Sequence, residues 1–141
     1  MRYEEFIATV HVHGAFETRA RAVAAARATL QTLAEQVGGD TASVLATELP
    51  PELARYIRGG DGADGEHFSV EEFWSRIAER ADLERAEAAR VARAVLNQLA
   101  GALPPGRLAI VWAGLPPDLL DQIERRRHAR QRDPHYRPRL S

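Results

Sequence analysis

The sequence predicts an all-α helical bundle of two tandem four-helix repeats, and three observations support this fold class. The apolar residues are largely alanine, leucine and valine, with a single Met and few aromatic residues, which favours helices over sheets. Apolar residues also recur at helical spacing along two long segments. Finally, the chain resembles itself at an offset of about 66 to 67 residues. We therefore expect pseudo-twofold symmetry between the repeats.

The internal repeat consists of three matching segments that occur in the same order. Glu4-Glu5-Phe6 matches Glu71-Glu72-Phe73, Leu30 and Leu33 match Leu96 and Leu99, and Leu49-Pro50-Pro51-Glu52-Leu53 matches Leu115-Pro116-Pro117-Asp118-Leu119. We assign residues 1–58 to repeat one, 59–67 to a glycine-rich linker and 68–124 to repeat two. Residues 1–124 then form a single duplicated domain, followed by an arginine-rich C-terminal tail over 125–141.

The first helix of repeat two has a strong start signal. Ser69 is expected to be its N-cap residue, and Glu72 three residues later completes a capping-box pattern. Phe68, directly before the cap, is placed to contact Phe73 as a hydrophobic staple. A helix should therefore begin directly after Ser69.

A long amphipathic helix follows in each repeat. The first runs from about Thr18 to Val37 and should stop at Gly38-Gly39. Its expected apolar stripe consists of Ala20, Val23, Leu30, Leu33 and Val37. The second covers about residues 83–103, with an expected stripe of Ala88, Val91, Ala92, Val95, Leu99 and Ala102. We expect these two helices to form the centre of the bundle.

Two short helices end each repeat, and a Leu-Pro-Pro motif separates them. Proline cannot continue a helix, whereas the second proline suits the first turn of the next helix. We therefore interpret Leu49-Pro50-Pro51 and Leu115-Pro116-Pro117 as helix boundaries and not as binding motifs. The composition of residues 59–66 indicates a flexible linker, and its acidic residues lack the spacing of a calcium-binding loop.

Composition excludes several kinds of chemistry. The chain contains neither cysteine nor lysine, which excludes disulfides, thiolate nucleophiles, cysteine-based metal sites and lysine Schiff bases. We also find no catalytic or cofactor-binding motif, so we expect neither an enzyme nor a cofactor. No stretch is apolar enough to span a membrane, and Met1-Arg2-Tyr3-Glu4-Glu5 is too acidic for a secretion signal. We therefore expect a cytoplasmic protein.

His11 and His13 are a candidate metal pair that helix geometry disfavours. Residues two apart on a helix point in nearly opposite directions, so they cannot chelate one ion as histidines at i and i+4 can. We expect one imidazole beside the apolar stripe of the first helix and the other in solvent, without a metal.

The segment around Ile110, Val111 and Trp112 is a candidate interaction surface. The run from Leu108 to Ala113 is apolar on nearly every side, whereas its counterpart at residues 42–48 keeps polar positions. Trp112 stands where repeat one has Ala46. A short helix without a polar face is either buried all round or contacts a partner.

The charge of the chain is divided unevenly. Residues 1–124 carry a formal charge of −7 and residues 125–141 a formal charge of +6. The tail contains a cluster of arginines that could neutralise phosphates: Arg125, Arg126, Arg127, Arg130 and Arg132. The alternative is a solubilising end that folds against the acidic body.

These repeated motifs, taken in order over about residues 3–124, resemble the bacterial and archaeal domain of unknown function 2267 family. The resemblance is carried by Tyr3-Glu4-Glu5-Phe6, the helix with Leu30 and Leu33, the Leu49–Leu53 turn, residues 68–73 and the helix with Val95, Leu96 and Leu99. It implies an all-helical duplicated fold and no established activity. The chain departs from the family pattern at His11-Val12-His13-Gly14 and in its arginine-rich tail.

Three functional hypotheses follow. The first is a non-catalytic protein-interaction module, a homodimer or adaptor, that uses the apolar surface near Trp112 and the central helices. The second is binding of nucleic acid or another anionic surface through the arginine-rich tail. The third is an enzyme or small-ligand binder with a pocket between the repeats, which would require polar side chains to converge there.

Overall fold

The protein is all-α, as predicted. A computed structural model describes residues 1–57 and 64–121, which form eight helices and no strand. The helices are α1 (Tyr3–His13), α2 (Arg19–Val37), α3 (Gly39–Thr47), α4 (Pro51–Ile57), α5 (Val70–Ala81), α6 (Arg85–Ala102), α7 (Pro105–Ala113) and α8, described over residues 117–121. In the described part of the chain, no helix is long and apolar enough to cross a membrane.

Helix α2 is the central element of the bundle. It packs against α1, α3, α4, α5 and α6, and its buried residues include four alanines in its first half: Ala22, Ala25, Ala26 and Ala28. Alanine side chains let neighbouring helices approach closely on several sides. The buried hydroxyls of Thr29 and Thr32 donate to the carbonyls of Ala25 and Ala28, each at 2.8 Å, so neither polar group is left unpaired.

The long helices have the predicted limits, but two expected core residues are exposed. Thr18 caps α2 by accepting a hydrogen bond from Arg21 N at 3.2 Å, and Gly38 ends it with a φ of 88°, which favours glycine. Ala20 is exposed because it lies in the first turn of α2. Ala102 is exposed because α6 ends there and the chain turns, burying Leu103 instead. These two stripe assignments are therefore wrong.

The start of α5 follows the predicted pattern. Ser69 Oγ accepts a hydrogen bond from Glu72 N at 3.2 Å, and the rings of Phe68 and Phe73 lie 6.2 Å apart. The carboxylate of Glu72 accepts a hydrogen bond from Arg76 Nε at 3.0 Å. The N-cap and the hydrophobic staple are therefore confirmed. The Glu72 carboxylate forms an ion pair with Arg76 in place of the predicted capping-box hydrogen bond.

The prolines mark helix boundaries as predicted. α3 ends before Leu49-Pro50-Pro51 and α4 begins at Pro51. Likewise, α7 ends before Leu115-Pro116-Pro117, and α8 begins at residue 117.

The last residues of the expected linker lie against the end of α2. Glu66 N donates to the carbonyl of Glu35 at 2.9 Å, and a Cβ at Gly65 would overlap the backbone oxygen of Gln36. Only glycine fits this close approach. The rest of the linker, residues 59–63, lies outside the described residues.

Candidate interaction surface

Helix α7 packs against α3 at one side of the bundle. Its Val111 is fully buried in the core. Arg107 Nε lies 2.9 Å from Glu48 Oε1, and Arg107 Nη1 donates to Thr47 Oγ1 at 3.4 Å. The charge of α7 is thus paired along the seam with α3, which leaves the outer side of α7 uncharged.

The outer side of α7 is small and apolar. Its exposed residues Gly106, Ala109, Ile110 and Ala113, which we call the α7 face, recur at the i, i+3, i+4, i+7 spacing of one helical stripe. Ile110 is 48% exposed. A Cβ at Gly106 would meet no atom within 4 Å, so packing within the described chain does not require glycine there.

The matching side of α3 is more polar, although Val44, the counterpart of Ile110, is apolar and partly buried. Sixty-six residues before Gly106, Ala109 and Ala113, the chain carries Asp40, Ser43 and Thr47, and all three are exposed. At the buried position the residue stays apolar, with Leu45 on α3 and Val111 on α7. The two helices therefore differ in the polarity of their exposed residues, whereas both bury an apolar residue at the matching position.

The structure separates the three residues predicted to form an interaction surface. Ile110 is exposed, Trp112 is partly buried against the core, and Val111 is fully buried. Val111 is therefore not accessible to a partner, because helical rotation of about 100° per residue turns it inward. Contact of a partner with Ile110 and Trp112 stays a prediction. Gly106, Ala109 and Ala113 were not predicted as a face, although the polar residues at the matching positions of α3 could have indicated it.

The two candidate histidines belong to α1 and not to α7. His11 is partly exposed and His13 exposed at the end of α1. Within residues 1–57 and 64–121, no three His, Asp or Glu side chains come together as a metal site would require. Arg125, Arg126, Arg127, Arg130 and Arg132 lie outside the described residues.

An ion-pair cluster joins α2 to α5. Arg76 Nη1 lies 3.4 Å from Glu35 Oε1 and 3.2 Å from Glu66 Oε2, and its guanidinium stacks 4.0 Å above the ring of Phe68. Arg80 also binds Glu35 and donates to Thr32 Oγ1 at 3.0 Å. The hydrogen bond from Arg80 lowers the pKa of Glu35 against the opposing effect of burial. The cluster links groups that are distant in sequence and has a structural role.

A cavity of about 290 Å³ lies where the end of α2, the start of α5 and residues 113–118 meet. Its lining includes Gln36, Phe68, Ser69, Gly114 and Asp118. Gln36 is 2% exposed, and its Nε2 donates to the Gly114 carbonyl at 3.3 Å. Gln36 could not be singled out from the sequence, because an isolated glutamine on a helix carries no distinctive signal.

Comparison with known proteins gives one family. The model of an uncharacterized conserved protein family, DUF2267, matches residues 3–122. No curated protein matches the chain.

Proposed function

Since the chain belongs to the uncharacterized conserved protein family DUF2267, whose description names no activity, we propose a function from the chain's own surface. It is a non-catalytic interaction module that self-associates through the α7 face. The observation that carries this proposal is the replacement of exposed Asp40, Ser43 and Thr47 on α3 by Gly106, Ala109 and Ala113 on α7.

A second copy of the same chain fits the α7 face because a twofold interface brings the same patch together from both subunits. The patch must therefore be able to contact an identical patch on a second copy without repulsion. A charged face would repel its copy, whereas an uncharged face of glycine and alanine allows close packing of two helices. The flanking Arg107 is already paired with Glu48, so it brings no free charge to the contact. Ile110 supplies the largest exposed apolar side chain of the face.

The size of the face predicts a weak dimer. A nine-residue helix is only about 14 Å long, so two α7 helices alone bury less than the roughly 1,600 Å² of a standard interface. Gly101 and Ala102 at the end of α6 and Pro104 before α7 are also exposed and uncharged. We therefore expect association that depends on concentration.

We also propose that two four-helix repeats, α1–α4 and α5–α8, are related by a pseudo-twofold axis. Contacts between α2 and α6 and between α3 and α7 support it, because a twofold axis pairs each helix with its own counterpart. Contacts of α1 with α6 and of α2 with α5 are also equivalent under that axis. In this arrangement the α7 face is a feature of the second repeat that the first repeat does not share.

Sedimentation velocity over a concentration series tests the self-association. We expect the native chain to shift toward dimer as concentration rises, and Ala109→Glu to remain monomeric because two like charges would meet at the contact. Ser43→Glu, at the matched exposed position of α3, is the control and should behave as the native chain. Circular dichroism should show equal helix content in all three. A native chain that stays monomeric, or equal effects of both variants, would overturn the proposal.

Anion binding by the tail is a second candidate, favoured by the formal charge of +6 on residues 125–141. Replacing Arg125, Arg126, Arg127, Arg130 and Arg132 with glutamine in the full chain removes this charge cluster. If the tail binds nucleic acid, filter binding should weaken steeply with salt in the native chain and disappear in this variant. Binding that persists in the variant would assign it to another surface.

A further inference from the structure

We draw no further inference here: the strongest candidate, the exposed apolar patch of Ala8 and Val12 on α1, where the matching positions of α5 carry Ser75 and Glu79, is an unpartnered helix face, and nothing in the described part of the chain shows what covers it.

Discussion

Arg80 on α5 binds Glu35 on α2 through a two-pronged ion pair. Arg80 Nη1 donates to Glu35 Oε1 at 2.6 Å, and Nη2 donates to Oε2 at 2.8 Å. Both side chains are about two-thirds buried, with exposed fractions of 33% and 31%. Because 45 residues separate them in sequence, this contact joins distant parts of the chain. Parallel hydrogen bonds between a guanidinium and a carboxylate are among the stronger polar contacts in proteins.

The first prediction is that Arg80→Met lowers the free energy of unfolding by about 1–2 kcal/mol, since it leaves Glu35 with the longer contact to Arg76. Arg27→Met is the control, because Arg27 is exposed and its side chain makes no hydrogen bond or ion pair with another described residue. The control should change stability by less than about 0.5 kcal/mol. Urea denaturation measures both. Equal losses in the two variants would contradict a stabilising role for the ion pair.

The second prediction concerns acid stability. Arg80 lowers the pKa of Glu35 in the folded protein below the ordinary value of 4.5, so the unfolded state binds a proton first as pH falls. The contribution of Glu35 is therefore complete above pH 4.5 and is lost as pH falls through the folded pKa.

Glu35→Gln removes this titration. The variant should be less stable than the native chain at pH 7, and the difference should shrink as pH falls below 4.5. Urea denaturation across this pH range makes the comparison. A difference that stays constant would contradict the assigned direction of the pKa shift.

The third prediction compares two glycines. Gly65→Ala should destabilise the protein by about 1–3 kcal/mol, because the new Cβ would overlap Gln36 O and force the backbone apart. Gly101→Ala lies within α6, where a Cβ meets nothing within 4 Å, and should be neutral or stabilising by up to about 1 kcal/mol. Thermal and urea unfolding measure both. Similar effects of the two changes would argue against the close approach at Gly65.

The fourth prediction separates stability from association on α7. Trp112 is partly buried against the core, so Trp112→Ala should lower stability by about 2 kcal/mol or more, less than the 3–5 kcal/mol of a fully buried tryptophan. Ile110 is exposed, so Ile110→Ala should weaken association at nearly unchanged stability. Sedimentation and urea unfolding together make the test. The opposite pattern would assign Trp112 to the interface and Ile110 to the core.

The sequence predicted helices and boundaries well because local chemistry decides them. The Ser69 cap, the Phe68 and Phe73 contact, the Gly38 stop and the proline breaks each involve residues close together in the chain. Which side of a helix is buried depends on its neighbours, and Ala20 and Ala102 illustrate this: both continue an apolar pattern, yet they lie at helix ends beyond the core.

The candidate sites depended on tertiary structure even more. Periodicity could not show that Val111 points inward while Gly106, Ala109 and Ala113 share the outer face of α7. Nor could it bring Gln36 beside Gly114, which is 78 residues away in sequence. The composition of the 108–113 run made α7 the candidate helix, and packing determines which of its residues are exposed.

The most direct test of the proposed self-association uses the absence of native cysteine. A single Ala109→Cys should form a disulfide-linked dimer under mild oxidation, because residue 109 lies near the middle of the α7 face, and a twofold axis through that point would bring its two copies within the roughly 4.4–6.8 Å between Cα atoms that a disulfide requires. Ser43→Cys, at the matched position of α3, should remain mainly monomeric at the same protein concentration, as read by non-reducing electrophoresis. Equal cross-linking of the two variants, or none in either, would contradict self-association through α7.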